Sequence, residues 1–144
     1  MKKVLLLLCI IIPTLAVIAA EDYSARFIKS FSACEPVTET TRIIDAKGSS
    51  IPITKIVQGV RDHICVYKQV IIRPTVRDIT TCEFPKPVLE EISTAMKEEN
   101  GEKFNVELTI NGENVMLQGL TKSQIIWTQA LNSEQVCKRE IIPK

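Results

Sequence analysis

The sequence predicts an α+β domain supported by disulfides, and three observations carry this prediction. Apolar residues recur every three or four positions in three segments, which is the spacing of one face of a helix. Runs of β-branched residues broken by short turn signals lie between these segments, as in antiparallel strands. Four cysteines are spread through the domain: Cys34, Cys65, Cys82 and Cys137. The expected order is an N-terminal helix, a four-stranded antiparallel meander, a helix, a β-hairpin and a C-terminal helix.

The first twenty residues are predicted to be a secretory signal peptide. Lys2 and Lys3 precede an uncharged run over residues 4–18, and small residues follow at Ala19 and Ala20. A helix that crosses a membrane needs about 20 apolar residues, more than this run offers, so no stable membrane span is expected after cleavage. Cleavage at either alanine and retention as an anchor stay open as alternatives.

Residues 21–144 are expected to fold as a single domain. The chain carries 18 basic and 17 acidic side chains, and loss of Lys2 and Lys3 would leave 16 against 17. A nearly neutral domain has no single-sign field to attract nucleic acid or an anionic membrane. At this length the chain can bury a real core, so disulfides would support packing rather than replace it.

The first helix of the domain is predicted from an aromatic stripe. Tyr23, Phe27, Phe31 and Cys34 recur at intervals of four, four and three residues, which places them on one helix face. Pro36 is expected to stop the helix. The helix would therefore bury its aromatic face and deliver Cys34 to the body of the fold.

The meander is predicted between residues 38 and 84. Its connections are short, so consecutive strands should pair antiparallel. The expected strands span residues 40–46, 52–58, 64–72 and 76–84.

A turn centred on residues 74–75 sets the register of the last two strands of the meander. It places Cys65 opposite Phe84 and Tyr67 opposite Cys82. Side chains alternate along a strand, so these four share one face. We expect the first helix to pack on that face.

The second helix is expected to begin at Pro85 and Pro87 and to end at Asn100-Gly101. Glu90 lies near its positive end, where a carboxylate is favourable. Its apolar side comprises Val88, Leu89, Ile92, Ala95 and Met96.

A hairpin is predicted around Asn111-Gly112, the preferred dipeptide of a type I′ turn. Apolar and polar residues alternate strictly before the turn. Pairing outward from it sets Leu108 against Val115 and Val106 against Leu117, so both strands present apolar residues on one face.

The C-terminal helix is predicted from Thr121 and Gln124, which match a capping box. Its inward residues are expected to be Ile126, Trp127, Ala130 and Leu131. Residues 138–144 are expected to form a flexible tail.

The cysteines are expected to form two disulfides, because export places them where disulfides persist. Four cysteines allow three pairings, and their spacing alone does not choose between them. We favour Cys34 with Cys65 and Cys82 with Cys137, since each bond would tie a helical segment to the meander. No Cys-x-x-Cys pair occurs, so neither a metal site nor a thioredoxin-type centre is expected.

Catalysis is not expected. His63 is the only histidine, and Cys65 would serve it as a nucleophile only as a free thiol. The glycines are isolated, which excludes a phosphate-binding loop, and no Gly-x-Ser-x-Gly turn occurs. No catalytic residue and no cofactor are therefore assigned, and a small hydrolase using His63 is the least favoured alternative.

A helix followed by an antiparallel meander resembles the cystatin-like arrangement. This resemblance implies a secreted protease inhibitor as an alternative function. The inhibitory Gln-x-Val-x-Gly loop of cystatins is not reproduced, because residues 56–60 read Ile-Val-Gln-Gly-Val.

A second resemblance rests on the residues around the cysteines. The signature comprises Cys34, Gly59, Cys65-Val66-Tyr67, Cys82-Glu83-Phe84 and Cys137. It is similar to that of a group of small exported bacterial proteins and covers most of residues 21–144. It implies an envelope location and four paired cysteines, and it implies no activity.

The sequence thus predicts a periplasmic or secreted, non-catalytic binding or interaction module. The expected partner is a protein or a small apolar ligand, bound by a sheet face or an open strand edge.

Overall fold

The computed structural model describes residues 23–44, 47–110 and 112–144. The predicted signal peptide and its cleavage site lie outside the described residues. Three helices are described: α1 (Ala25–Ala33), α2 (Lys86–Lys97) and α3 (Lys122–Leu131). Within the described ranges, no helix is long and apolar enough to cross a membrane.

The fold is α+β, as predicted, and its strands pair antiparallel. The strands are β1 (Val37–Ile44), β2 (Ser50–Arg61), β3 (Ile64–Ile72), β4 (Val76–Phe84), β5 (Lys103–Ile110), β6 (Glu113–Thr121) and β7 (Cys137–Pro143). A five-stranded sheet has the order β1-β2-β3-β4-β7, and β5 and β6 form a separate hairpin.

The predicted register of β3 and β4 is confirmed. Cys65 pairs with Phe84, and Tyr67 pairs with Cys82. β3 and β4 also have the predicted bounds, whereas β1 and β2 begin earlier than expected. The short turn between β3 and β4 sets this pairing, because its few residues leave little freedom of register.

The expectation of a flexible tail over residues 138–144 is corrected by strand β7. This segment pairs with β4 from Cys82↔Cys137 to Val76↔Pro143 and makes the sheet five-stranded. Its sequence looked like a tail because most of its residues are charged and exposed. An edge strand tolerates such residues, since backbone hydrogen bonds and one buried cysteine hold it in place.

Helix α1 lies on the predicted face of the sheet. Ser24 caps its N-terminus by accepting a hydrogen bond from the Phe27 backbone N–H, and Cys34 ends it in the left-handed conformation (φ 51°). Phe27 and Phe31 are buried, and both contact the Tyr67 ring edge-on. The aromatic stripe is therefore core, as predicted.

The main core is built around Trp127 of α3, which is fully buried. Its ring centroid lies 5.1 Å from that of Tyr67 and 5.4 Å from that of Phe31, both in edge-to-face geometry. Aromatic pairs of this kind add to the stabilisation from buried area. Leu89, Ile92 and Met96 of α2 and Leu131 of α3 complete the same cluster.

One disulfide connects a helix end to the sheet, and a second joins two strands within the sheet; the expectation that the second would also tie a helical segment to the sheet is corrected, because Cys137 lies in β7. Cys34 at the end of α1 is bonded to Cys65 of β3, and Cys82 of β4 is bonded to Cys137 of β7. These are the two pairs favoured in the sequence analysis. The second bond joins neighbouring strands, and it fixes the point where β7 meets the sheet.

The hairpin packs against α3 through an apolar cluster of its own. Leu108 pairs with Val115 and Val106 with Leu117, as predicted. Ile125 of α3 contacts their shared apolar face. The type I′ turn was predicted on residue 111, which lies outside the described residues.

Helix α3 begins with the predicted capping box. The Thr121 side chain accepts from the Gln124 backbone, and the Gln124 side chain accepts from the Thr121 backbone N–H. Two backbone donors that the helix itself leaves unpaired are satisfied in this way.

Candidate binding site

A row of polar residues crosses the helix-facing side of the five-stranded sheet. Each strand contributes one member, and neighbouring members are direct partners in the strand register. The row, called the polar row below, consists of Glu39, Lys55, Gln69, Thr80 and Arg139. On one side it borders Val57 and Tyr67 of the helix core, and on the other side Ile53 and Ile71 of a separate apolar cluster.

Lys55 is the unusual member of the polar row, because a lysine is almost never fully buried. Its side chain is 0 % exposed, and its Nζ lies 3.4 Å from Oε2 of Glu39. The same Nζ lies 5.1 Å from the ring centroid of Tyr23 and 5.0 Å from that of Phe27. The ammonium group is thus held between a carboxylate and two aromatic faces, both of which favour a cation.

Glu39 links this charge pair to the start of α1. Its Oε1 accepts a hydrogen bond from the hydroxyl of Ser24, which caps α1. The positive end of the α1 dipole also stabilises a carboxylate at this position. The pair of Glu39 and Lys55 therefore positions α1 on the sheet.

The other end of the polar row holds a second charge pair. Arg139 Nε donates to Asp78 Oδ1 at 2.9 Å, and Arg139 Nη2 donates to Asp78 Oδ2. The hydrogen bond to Asp78 raises the pKa of Arg139 above its ordinary value. Between the two pairs, Gln69 Oε1 accepts from the Tyr67 hydroxyl at 3.0 Å. The charges of Glu39, Lys55, Asp78 and Arg139 are accordingly matched within the domain.

Beyond the polar row lie four isoleucines on the same face of the sheet, called the isoleucine patch below. It consists of Ile43 of β1, Ile51 and Ile53 of β2 and Ile71 of β3. Ile43 pairs with Ile51, and Ile53 pairs with Ile71, so the four form a contiguous surface. Ile53 is two residues from Lys55 and therefore borders the polar row.

The isoleucine patch is distinct from the two other apolar clusters of the described residues. The core around Trp127 and the cluster between the hairpin and α3 contain none of its members. Its side chains are nevertheless buried: Ile53 is 0 % exposed and Ile71 is 2 % exposed. The patch is thus a buried apolar cluster on the helix side of the sheet that the helix core does not include.

The structure places His63 away from this surface. His63 and Asp62 adopt positive φ values (66° and 50°) in the tight turn between β2 and β3, and His63 is exposed. Cys65 is bonded to Cys34, so it offers no thiolate to His63. In the described part of the chain, no group of three or more His, Cys, Asp or Glu residues could hold a metal ion.

The segment compared with the cystatin loop is also a strand here. Residues 56–60 lie within β2, where the register shifts between Val57 and Gly59. Gly59 has a φ of 107°, a conformation that other residues rarely adopt. The segment forms a bulge in a paired strand and not a projecting loop.

Sequence reasoning missed Lys55, although a signal was present. The inward positions of β2 read Ile51, Ile53, Lys55 and Val57, so the lysine interrupts an apolar alternation. A charge at an inward position predicts a buried partner, because an unpaired buried charge is too costly to keep. The partner, Glu39, could be identified only from the pairing of β1 with β2.

Comparisons with known proteins do not assign the chain to a family. No protein-family model, curated protein or solved structure matches it. The function is therefore inferred from the chemistry of the described residues.

Proposed function

We propose that this protein is an exported, non-catalytic binding module that holds an uncharged aliphatic ligand on the isoleucine patch. The observation that carries the proposal is the isoleucine patch itself. Four buried aliphatic side chains form one apolar cluster on the helix side of the sheet, separate from the helix core, and a ligand would reach them by displacing the atoms that cover them. Ligand sites are mostly apolar surfaces bordered by a few fixed polar groups, and the polar row supplies that border.

The charge of the site favours an uncharged ligand. Lys55 is matched by Glu39, and Arg139 is matched by Asp78. A charged ligand group would have to separate one of these pairs, and breaking a buried pair costs several kcal/mol. An aliphatic chain would instead gain about 25 cal/mol for each Å² of apolar surface removed from water.

Two further observations support the proposal that the protein is exported and that it is not a catalyst. Both disulfides are compatible with an oxidising compartment outside the cytoplasm, such as the periplasm or the medium. The disulfide at Cys65 removes the thiol that a hydrolase using His63 would need. A binding role is therefore better supported than that alternative.

The test measures binding of N-phenyl-1-naphthylamine, an uncharged apolar fluorophore, to protein purified after export by a host cell. Ile43→Asn places an amide at the border of the patch and is expected to weaken binding at least fivefold. Ile44→Asn is the matched control, because Ile44 is the next residue of β1, points to the opposite face and is 68 % exposed.

Trp127 fluorescence verifies that both variants fold. Equal binding by wild type, Ile43→Asn and Ile44→Asn would contradict the proposal, as would the absence of binding by the wild type.

A further inference from the structure

We propose that the cavity between strand β5 and helix α3 binds an extended peptide segment of a partner protein, which adds to the open edge of β5 as a third strand. Strand addition of this kind is a recurring mode of peptide recognition, in which main-chain hydrogen bonds supply the affinity. None of the described residues that line the cavity belongs to the isoleucine patch or to the polar row. The inference therefore goes beyond the proposed function and does not depend on it.

The cavity has a volume of about 330 Å³ and lies between two elements. One wall is formed by four consecutive residues of β5, Glu107–Ile110. The other wall lies at the end of α3 and comprises Thr128, Gln129, Asn132 and Ser133. Side chains alternate between the two faces of a strand, so four consecutive residues line one cavity only along the edge of the strand. The cavity therefore gives access to the main chain of β5.

The edge of β5 at this cavity is open. Of the described strands, only β6 pairs with β5. Ile110 and Glu113 flank the two-residue connection of the hairpin, and a pair in this position exchanges both main-chain hydrogen bonds. Such pairs alternate along the strand, so Leu108 also bonds to β6, whereas Glu107 and Thr109 direct their N–H and C=O groups away from it. Two donors and two acceptors are therefore available to a further strand.

Thr128 is an independent indication that the cavity holds a ligand. It is 0 % exposed, and its hydroxyl has no hydrogen-bond partner within the described residues. Thr128 follows Ile125 by three residues, and Ile125 contacts the apolar face of the hairpin, so both lie on the hairpin side of α3. A buried hydroxyl is normally hydrogen-bonded, and the main chain of a bound peptide would supply the missing partner.

The remaining lining of the cavity matches the chemistry of a peptide. Gln129, Asn132 and Ser133 can each donate and accept hydrogen bonds, as the N–H and C=O groups of an extended peptide do. The Asn132 amide is held in place, because its Nδ2 donates to the Thr128 carbonyl at 2.8 Å. Among the described residues that line the cavity, only Glu107 is ionisable. A lysine or arginine is therefore expected beside Glu107 in the bound peptide.

A third strand would also stabilise the hairpin. A two-stranded hairpin is only marginally stable by itself, and three strands with an apolar face are more stable. Leu108 and Ile110 lie on the face of β5 that contributes to the hairpin cluster, and Glu107 lies on the opposite face. A peptide that alternates aliphatic residues with basic or polar ones continues both faces.

The first test measures fluorescence anisotropy of a fluorescein-labelled peptide, Gly-Val-Lys-Val-Thr-Val-Lys-Gly, with protein purified after export by a host cell. Thr109→Pro removes one main-chain N–H at the open edge and is expected to weaken peptide binding about tenfold. Proline is tolerated at such a position, because this N–H does not pair with β6. Thr109→Val is the matched control, since it also loses the hydrogen bond from the Thr109 hydroxyl to Asn114 but keeps the N–H.

The second test replaces the buried hydroxyl. Thr128→Val keeps a side chain of similar shape and is expected to weaken peptide binding about fivefold, because the bound peptide loses a hydrogen-bond partner. The urea midpoint of the free protein should be unchanged or higher, since the hydroxyl has no partner there. A lower midpoint with unchanged peptide binding would show a merely structural role and contradict the inference. Thr94→Val, at an exposed position of α2, is the control and should change neither value.

Two modified peptides test the mode of binding without any change to the protein. One carries N-methyl groups on its three valines, and the other carries them on its lysines and threonine. Alternate N–H groups of a strand point to opposite edges, so only one of the two peptides is expected to bind. Equal binding or equal loss of binding would overturn strand addition, and this result holds even if Thr109→Pro does not fold.

The outcomes distinguish this inference from the proposed function and from a second copy of the chain. No peptide binding by the wild type, or equal binding by Thr109→Pro and Thr109→Val, would overturn the peptide site and would leave fluorophore binding at the isoleucine patch unaffected. A dimer of the free protein that Thr109→Pro dissociates and Thr109→Val preserves would assign the edge of β5 to a second copy and would also overturn the inference.

Discussion

Lys55 shows how one residue can join a helix to a sheet. Burial of an ammonium group costs several kcal/mol unless nearby groups compensate. The Glu39 carboxylate and the ring faces of Tyr23 and Phe27 provide this compensation, and Glu39 also accepts from the residue that caps α1. The long apolar stem of the lysine meanwhile packs in the interior.

Replacing Lys55 is expected to leave the Glu39 charge without its main partner. Lys55→Met preserves most of the buried volume, so its cost should come from that charge and amount to about 2 kcal/mol of unfolding free energy. Lys55→Met combined with Glu39→Gln should recover at least half of the loss. Urea unfolding followed by Trp127 fluorescence measures both values.

Lys68→Met is the control for the Lys55 prediction, because Lys68 lies on the opposite face of the sheet, and its effect should stay within about 0.5 kcal/mol. A Lys55→Met protein as stable as the wild type would show that the pair does not hold α1.

At the scale of elements, Glu99 connects the end of α2 to the start of α3. Its carboxylate accepts hydrogen bonds from the Ser123 hydroxyl and backbone N–H and from the Gly101 backbone N–H. Partial burial raises the pKa of Glu99, but the hydrogen bonds from Ser123, Thr121 and Gly101 outweigh it, so the pKa lies below its ordinary value. The positive end of the α3 dipole also stabilises the charged carboxylate.

The lowered pKa of Glu99 predicts a pH-dependent contribution to stability. The folded state favours the charged form, so the contribution is present above the ordinary glutamate pKa and is lost as the pH falls through the folded-state pKa. Glu99→Gln should therefore lower the unfolding free energy at neutral pH by a few tenths of a kcal/mol, a small effect because the group is largely exposed.

Urea titrations of wild type and Glu99→Gln across the acid range measure this difference, which should shrink toward zero as the pH falls. Glu98→Gln is the control, being the neighbouring exposed glutamate. A difference that grows in acid would contradict the assignment.

The elements also show which sequence signals are reliable. The hairpin and α3 were predictable, because alternation, turn chemistry and the capping box at Thr121 act within a few residues. β7 was not predictable, because its outward residues are charged and its pairing with β4 depends on the backbone. Only Cys137 marks this segment as part of the fold.

At the scale of the whole molecule, the two disulfides lie beside the aromatic core, and together they hold α1 and β7 to the sheet. Cys34–Cys65 ties the end of α1 to β3, and Cys82–Cys137 ties β7 to β4. The bonds close segments of 31 and 55 residues, which the unfolded chain would otherwise leave free. Both join cysteines that are buried beside the Trp127 core.

Removing either disulfide is expected to lower the unfolding free energy by about 2–4 kcal/mol, because the unfolded chain regains freedom. The paired changes are Cys34→Ala with Cys65→Ala, and Cys82→Ala with Cys137→Ala. Unfolding measured by Trp127 fluorescence should show a loss for each pair, slightly larger for the longer segment. Equal stability of the wild type and both double variants would contradict a structural role.

The sequence by itself determined the α+β class, most strands and helices, and the register of β3 against β4. These features follow from periodicity and turn chemistry, which act over short distances along the chain. Only the tertiary structure decided that β7 completes the sheet, that Lys55 meets Glu39, and that the isoleucine patch stands apart from the helix core. Each of these three features depends on contacts between segments that are distant in the chain, and the free energy of such contacts cannot be read from a local sequence pattern. The candidate site belongs to this second group, because an inward isoleucine looks the same in the sequence whether a helix or a ligand covers it.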